Sequence, residues 1–168
     1  MDDFSFDLDG DDEERLRTAY HEAGHCVIGI LMGARVRFAS IEVESEDHFG
    51  EVEMEWPHGS NVKAQALAIL AGPVAEMTYR DEPFSNQDLA PSKADFQQVL
   101  QLSQAFGWTH RKQVEWIQHL ITQLYRQFKR PDCWAAVAAV SDQLLAHDTL
   151  EHETIADEVS HWMRVDQG

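Results

Sequence analysis

Residues 12–33 read DEERLRTAYHEAGHCVIGILMG, and the rest of the chain is organised around what this stretch becomes. Leu16, Ala19, Tyr20, Ala23, Val27, Ile30 and Leu31 return every three or four positions, the period of a helix with one buried stripe. Asp12 stands where a helix start is capped, Glu13 and Glu14 suit the positive end of its dipole, and Gly33 supplies a stop. On this helix lies His21-Glu22-x-x-His25. Two imidazoles four residues apart project from one helical face toward a single point, and imidazole nitrogen is a preferred ligand of zinc. Glu22 is at the edge of that face, placed to take a proton from a metal-activated water and pass it to a leaving amine. The plain alternative is a pair of histidines packed on a helix. The well-formed helical context favours the metal. A third protein ligand is needed, with the fourth position left to water. Spacing does not choose it among His48, His58, Glu76, Asp95 and His110.

Outward from the helix, Val36 to Val43 and Gly50 to Trp56 alternate with period two, which predicts two strands of a small sheet. Pro57 and Gly59 end the second. From Val62 onward Leu67, Ile69, Leu70, Val74 and Met77 leave no polar face, so a buried helix is expected, kinked or restarted at Gly72-Pro73. Arg80 to Pro91 reads as loop and Ser92 to about Phe106 as helix. Arg111 to Arg164 reads as two or three amphipathic helices, broken near Pro131 and around Thr149. The expected fold is α+β and mainly helical: a metal helix beside a small β-sheet, followed by a C-terminal helical bundle. Residues 1–14 hold eight acidic side chains and no basic one, a solvated tail before a single domain over 15–168.

Composition narrows the partners. The formal net charge of −17 argues against nucleic acid and against anionic membrane surfaces. No apolar run is long enough to span a bilayer, and the N-terminus lacks the pattern of a signal peptide. Cys26 and Cys133 are too few for a disulfide scaffold and fit free thiols in a reducing cytoplasm. Cys26 follows His25 by about 100° of helix and should face away from the metal.

Thr18-Ala19-Tyr20-His21-Glu22-Ala23-Gly24-His25 resembles the active-site helix of FtsH-type peptidases, the protease domain of membrane AAA proteases. The strand pair looks like the one that follows the metal helix in that family. Leu70-Ala71-Gly72-Pro73-Val74-Ala75-Glu76 is similar to its Gly-Gly-Arg-x-Ala-Glu helix, and Ser92-Lys93-Ala94-Asp95-Phe96 to the segment whose Asp supplies the third ligand. Leu144-Leu145-x-x-Asp148-Thr149-Leu150, with Ile155 and Val159, resembles its closing helices. The resemblance implies one zinc per chain held by His21, His25 and Asp95, with Glu22 as the base. Glu76, in an apolar helix, is then expected to bond a ligand histidine. It also implies a homo-oligomer through the C-terminal helices. Pro73 stands where the family has Arg, and the ATPase and membrane anchors have no counterpart in this sequence, so the expected reaction is peptide-bond hydrolysis in proteins or peptides without ATP.

Glu51, Val52 and Glu53 are expected to bind substrate, because zinc peptidases hold an extended chain along a sheet edge. With Glu55 they should favour basic or neutral peptides, an expectation checked by the cleavage preference of charge-reversed variants. Three other readings remain in view: a peptide- or partner-binding module that retains zinc without cutting, a zinc hydrolase of small amides, and an assembly subunit with a vestigial site.

Overall fold

The structure is a computed structural model that describes residues 10–42, 50–82 and 93–164. Six helices and three short strands make a mainly helical α+β fold. Helix α1 (Gly10–Leu31) is its axis. Asp11, Asp12 and Glu13 fill its first turn, favourable at the helix N-terminus. Its far end closes as a Schellman motif: Gly33 takes φ +99°, its N–H donates to the Ile30 carbonyl at 3.0 Å, and the Ala34 N–H donates to Gly29 at 2.9 Å. The helix therefore begins two residues before Asp12, and residues 10–14 of the expected acidic tail are its first turns. Residues 1–9 lie outside the described residues.

The Gly33 turn feeds β1 (Arg35–Ser40), which pairs antiparallel with β2 (Glu51–Glu55). A third strand, β3 (Thr149–Glu151), was not foreseen and pairs antiparallel with the other side of β1, giving the order β2-β1-β3. Among the described residues, strand β2 is thus an edge. A bulge at Arg37 interrupts the β1–β2 register. Beside it, the ring Nδ1–H of His152 donates to the Val36 carbonyl at 2.7 Å.

Helix α2 (Val62–Tyr79) is capped by Asn61, whose side-chain oxygen accepts from the Lys63 N–H at 2.7 Å. Ten of its residues are buried, as its lack of a polar face implied. It runs unbroken through Pro73 instead of restarting there. Proline removes one helical donor, that owed to Ile69, and the packing of α1 along this face outweighs the loss. Small residues make that packing close. A methyl at Gly24 would collide with the Ala71 carbonyl oxygen and lie 2.6 Å from the Ala75 Cβ.

Helix α3 (Lys93–Ser103) ends in a short 3-10 turn, Gln104–Phe106. The C-terminal helices are three: α4 (His110–Phe128), α5 (Pro131–His147) and α6 (His152–Trp162), with breaks at Pro131 and Thr149 as read from sequence. Helix α5 covers the back of α1. Tyr20 stacks on Tyr79 of α2 at 4.2 Å and on Trp134 of α5 at 5.5 Å, tying three helices through one ring. Arg15 donates to the Leu145 carbonyl at 2.9 Å and pairs with Asp148 at 2.5 Å, so α1 caps the end of α5. Among the described residues, no helix is long and apolar enough to cross a membrane.

Candidate metal centre

Helices α1 and α2 pack antiparallel, and their close approach brings His21 and His25 against α2 and the start of α3. His25 is 8% exposed. Its Nδ1 lies 2.9 Å from the Ala68 carbonyl oxygen, which can only accept, so Nδ1 carries the proton and Nε2 is a bare lone pair. His21 Nδ1 lies 3.1 Å from Glu76 Oε2. With the proton on Nδ1, this bond also leaves Nε2 free to coordinate. Both Nε2 atoms then meet one carboxylate oxygen: Asp95 Oδ2 is 3.0 Å from His21 Nε2 and 3.5 Å from His25 Nε2. The three donor atoms lie within 4.8 Å of one another. In a tetrahedral zinc site with bonds of about 2.0–2.1 Å, donors stand about 3.3 Å apart. The donor set and spacing fit zinc.

Of the open third-ligand candidates among the described residues, only Asp95 is brought to the Nε2 side. Glu76 is held at the opposite nitrogen of His21, where it orients the ring. His58 and His110 are exposed, on the α2 approach and at the start of α4. His48 and Ser92 lie outside the described residues. Cys26 is fully buried in the core, where burial foremost, with the Glu22 charge nearby, pushes its thiol well up. Burial also raises Cys133, to about 11. Both cysteines are free.

Three determinants escaped the reading of the sequence. A Cβ at Gly72 would collide with His25 Nε2, so the glycine is the space the imidazole occupies. Gly24 lets the helices approach closely enough for His25 to reach Ala68. Gly50 lies against Glu22: a Cβ there would be 2.5 Å from Oε1 and 2.9 Å from Cγ. The glycine at the start of β2 thereby makes room for the Glu22 carboxylate, which is 6% exposed. One signal was present, since a glycine inside a helix costs about 1 kcal/mol relative to alanine and calls for a packing reason.

These residues open on a cleft of about 970 Å³. Glu51, Val52 and Glu53 line one wall, with Met54 and Trp56. Arg37 on β1 pairs with Glu53 at 2.7 Å and with Glu55 at 3.6 Å, so this wall is less acidic than its composition suggests. Glu55 does not line the cleft.

Without metal the ligands hold one another. Burial pulls the His21 imidazole down, but bonds to Asp95 and Glu76 and the Glu22 charge outweigh it and raise it to about 10. Asp95 moves oppositely: burial alone would raise its carboxyl, and the two histidines bring it well below 3.8. These are two ends of one ion pair and count once. The His21 contribution to stability is full below 6.5 and is lost as pH rises through about 10. The Asp95 contribution is full above 3.8 and is lost as pH falls through the lowered value. The gap in Tm between metal-free parent and Asp95→Asn should therefore be widest between pH 3.8 and 6.5 and close at both extremes. A gap independent of pH would contradict this. Metal must displace the His21 proton, so zinc uptake should release protons and strengthen as pH rises.

No family model and no curated protein matches the chain.

Proposed function

We propose that the chain is a zinc-dependent peptidase of the FtsH type, with His21, His25 and Asp95 holding the metal and Glu22 as the base. The observation that carries this reading is the convergence of two imidazole Nε2 atoms on Asp95 Oδ2, each ring fixed through its other nitrogen. A structural zinc site is closed by four protein ligands. Here three come together among the described residues, at the floor of an open cleft. That arrangement supports chemistry over a purely architectural role.

Zinc, when bound, supplies a Lewis acid that polarises the scissile carbonyl and acidifies water. The chain's own residues do the rest. Glu22 adjoins the first ligand and is held against Gly50 at the cleft wall, where its carboxylate can accept a proton and return it to the departing amine. Glu76 and the Ala68 carbonyl fix the ring orientations. Among the described residues β2 is the sheet edge beside the site, the place where an extended peptide can add.

Elemental analysis of purified protein should give about one zinc per chain. Cleavage of an unfolded model protein should stop on chelation and return with added zinc. Zinc at that ratio without cleavage would favour the binding-module reading. Failure to take up metal under any loading would remove both.

A further inference from the structure

One end of the cleft carries two arginines that neither the metal site nor the β2 wall requires. Arg17 and Arg80 both line it. Arg17 is one helical turn before His21 and Arg80 one turn after Glu76. The antiparallel packing that bonds His21 to Glu76 and stacks Tyr20 on Tyr79 brings these turns face to face. Arg80 pairs with Glu82 at 2.7 Å, and Glu14 stands at the same rim. Arg17 has no carboxylate partner among the described residues, and its Nε is buried without a hydrogen-bond partner. A buried guanidinium N–H left unpaired is costly, and a carboxylate is the group its planar fork fits best.

The direction of β2 tells which end of a substrate arrives there. Gly50 lies against Thr18 and Glu22, and Met54 against Gly29, so β2 runs the same way as α1. A peptide added antiparallel to β2, the more stable pairing, runs the opposite way and carries its C-terminal side toward Arg17. Arg17 lies about 6 Å along the helix from His21, which an extended chain covers in roughly two residues.

We propose that Arg17, assisted by Arg80, forms a carboxylate subsite that selects peptides with a negative charge one or two residues beyond the scissile bond on the C-terminal side. The charge is the chain's terminal carboxylate or an Asp or Glu side chain. The assignment of that side rests on the peptidase reading; the carboxylate recognition does not.

The test is binding to zinc-loaded Glu22→Gln protein, so that nothing is cut. The probes are a short neutral peptide, fluorescein-labelled at its N-terminus, as the free acid, as the C-terminal amide, and as an amide ending in glutamate. Fluorescence anisotropy should show the free acid binding at least about 10-fold tighter than the neutral amide. Arg17→Gln should erase that difference while zinc content stays unchanged, and Arg80→Gln should reduce it. Arg111→Gln, which removes the same charge from an exposed site on α4, should preserve it. Recovery by the glutamate amide assigns the subsite to any carboxylate, and no recovery assigns it to the chain terminus. Equal binding of acid and neutral amide, binding of neither, or a preference that survives both cleft substitutions would overturn the proposal. Cleavage of the same peptides by the parent reports on hydrolysis alone, so the two readings fail separately.

Discussion

Glu22→Gln should retain about one zinc per chain and lose about three orders of magnitude in peptide cleavage, the scale of a lost general base. Glutamine keeps the shape of glutamate. The contact with Gly50 survives, the side chain remains nearly buried, and no ligand is touched. What disappears is the ability to take a proton at neutral pH. The loss should fall on kcat, with substrate binding little changed, because the carboxylate is needed as charge moves and not to hold the peptide. Steady-state kinetics beside zinc analysis separates the cases. Cleavage at the parent rate would remove Glu22 from the chemistry, and loss of zinc together with activity would make it a structural residue.

A second large effect is expected where helix propensity gives the opposite answer. Gly72→Ala lies inside α2, and on propensity alone it should stabilise that helix by about 1 kcal/mol. The added methyl would instead occupy the place of the His25 ring, with Cε1 at 2.5 Å and Cδ2 at 2.8 Å. Backbone on both sides is locked in the α1–α2 contact, so the imidazole has to move. It gives up the Ala68 carbonyl and withdraws its Nε2 from the ligand cluster. Removing an orienting partner typically costs 10–100-fold in metal affinity, and displacing the ligand itself should cost at least about 100-fold. Competition with a chromophoric chelator measures this. Gly10→Ala, with open space around it, should leave zinc affinity at the parent value. Undiminished affinity in Gly72→Ala would mean that His25 is not a ligand or that its ring has another way in.

Much of the architecture was legible because it rests on periodicity and punctuation. The spacing of Leu16, Ala19, Ala23 and Val27 announces α1, and Pro131 marks the start of α5. The two histidines share a face for the same local reason. Asp95 was beyond spacing, since its place beside them depends on how α2 returns the chain. Strand β3 was hidden by its length: three residues show no meaningful alternation, and their pairing with β1 is fixed by the folded body. A restart at Pro73 did not follow, because local rules weigh one missing hydrogen bond and cannot weigh a helix packed along the same surface. The Glu51 to Glu55 run looked uniformly acidic until Arg37 was found across the ladder. Arg17 carried no signal in sequence, where one arginine among charged neighbours reads as solvated surface.

Tyr20 stacks between rings from α2 and α5, and Arg15 clasps the end of α5, so the helix that bears His21 and His25 shares its core with both halves of the chain. Occupancy of the cleft is therefore a property of the whole cooperative unit. By mass action, a ligand at a thousandfold excess over its dissociation constant stabilises the native state by about 4 kcal/mol. Here that free energy opposes unfolding of α4 to α6 as much as of α1. On the zinc reading proposed above, cellular zinc supply would then set the lifetime of the protein, with the empty chain the one more readily opened and degraded.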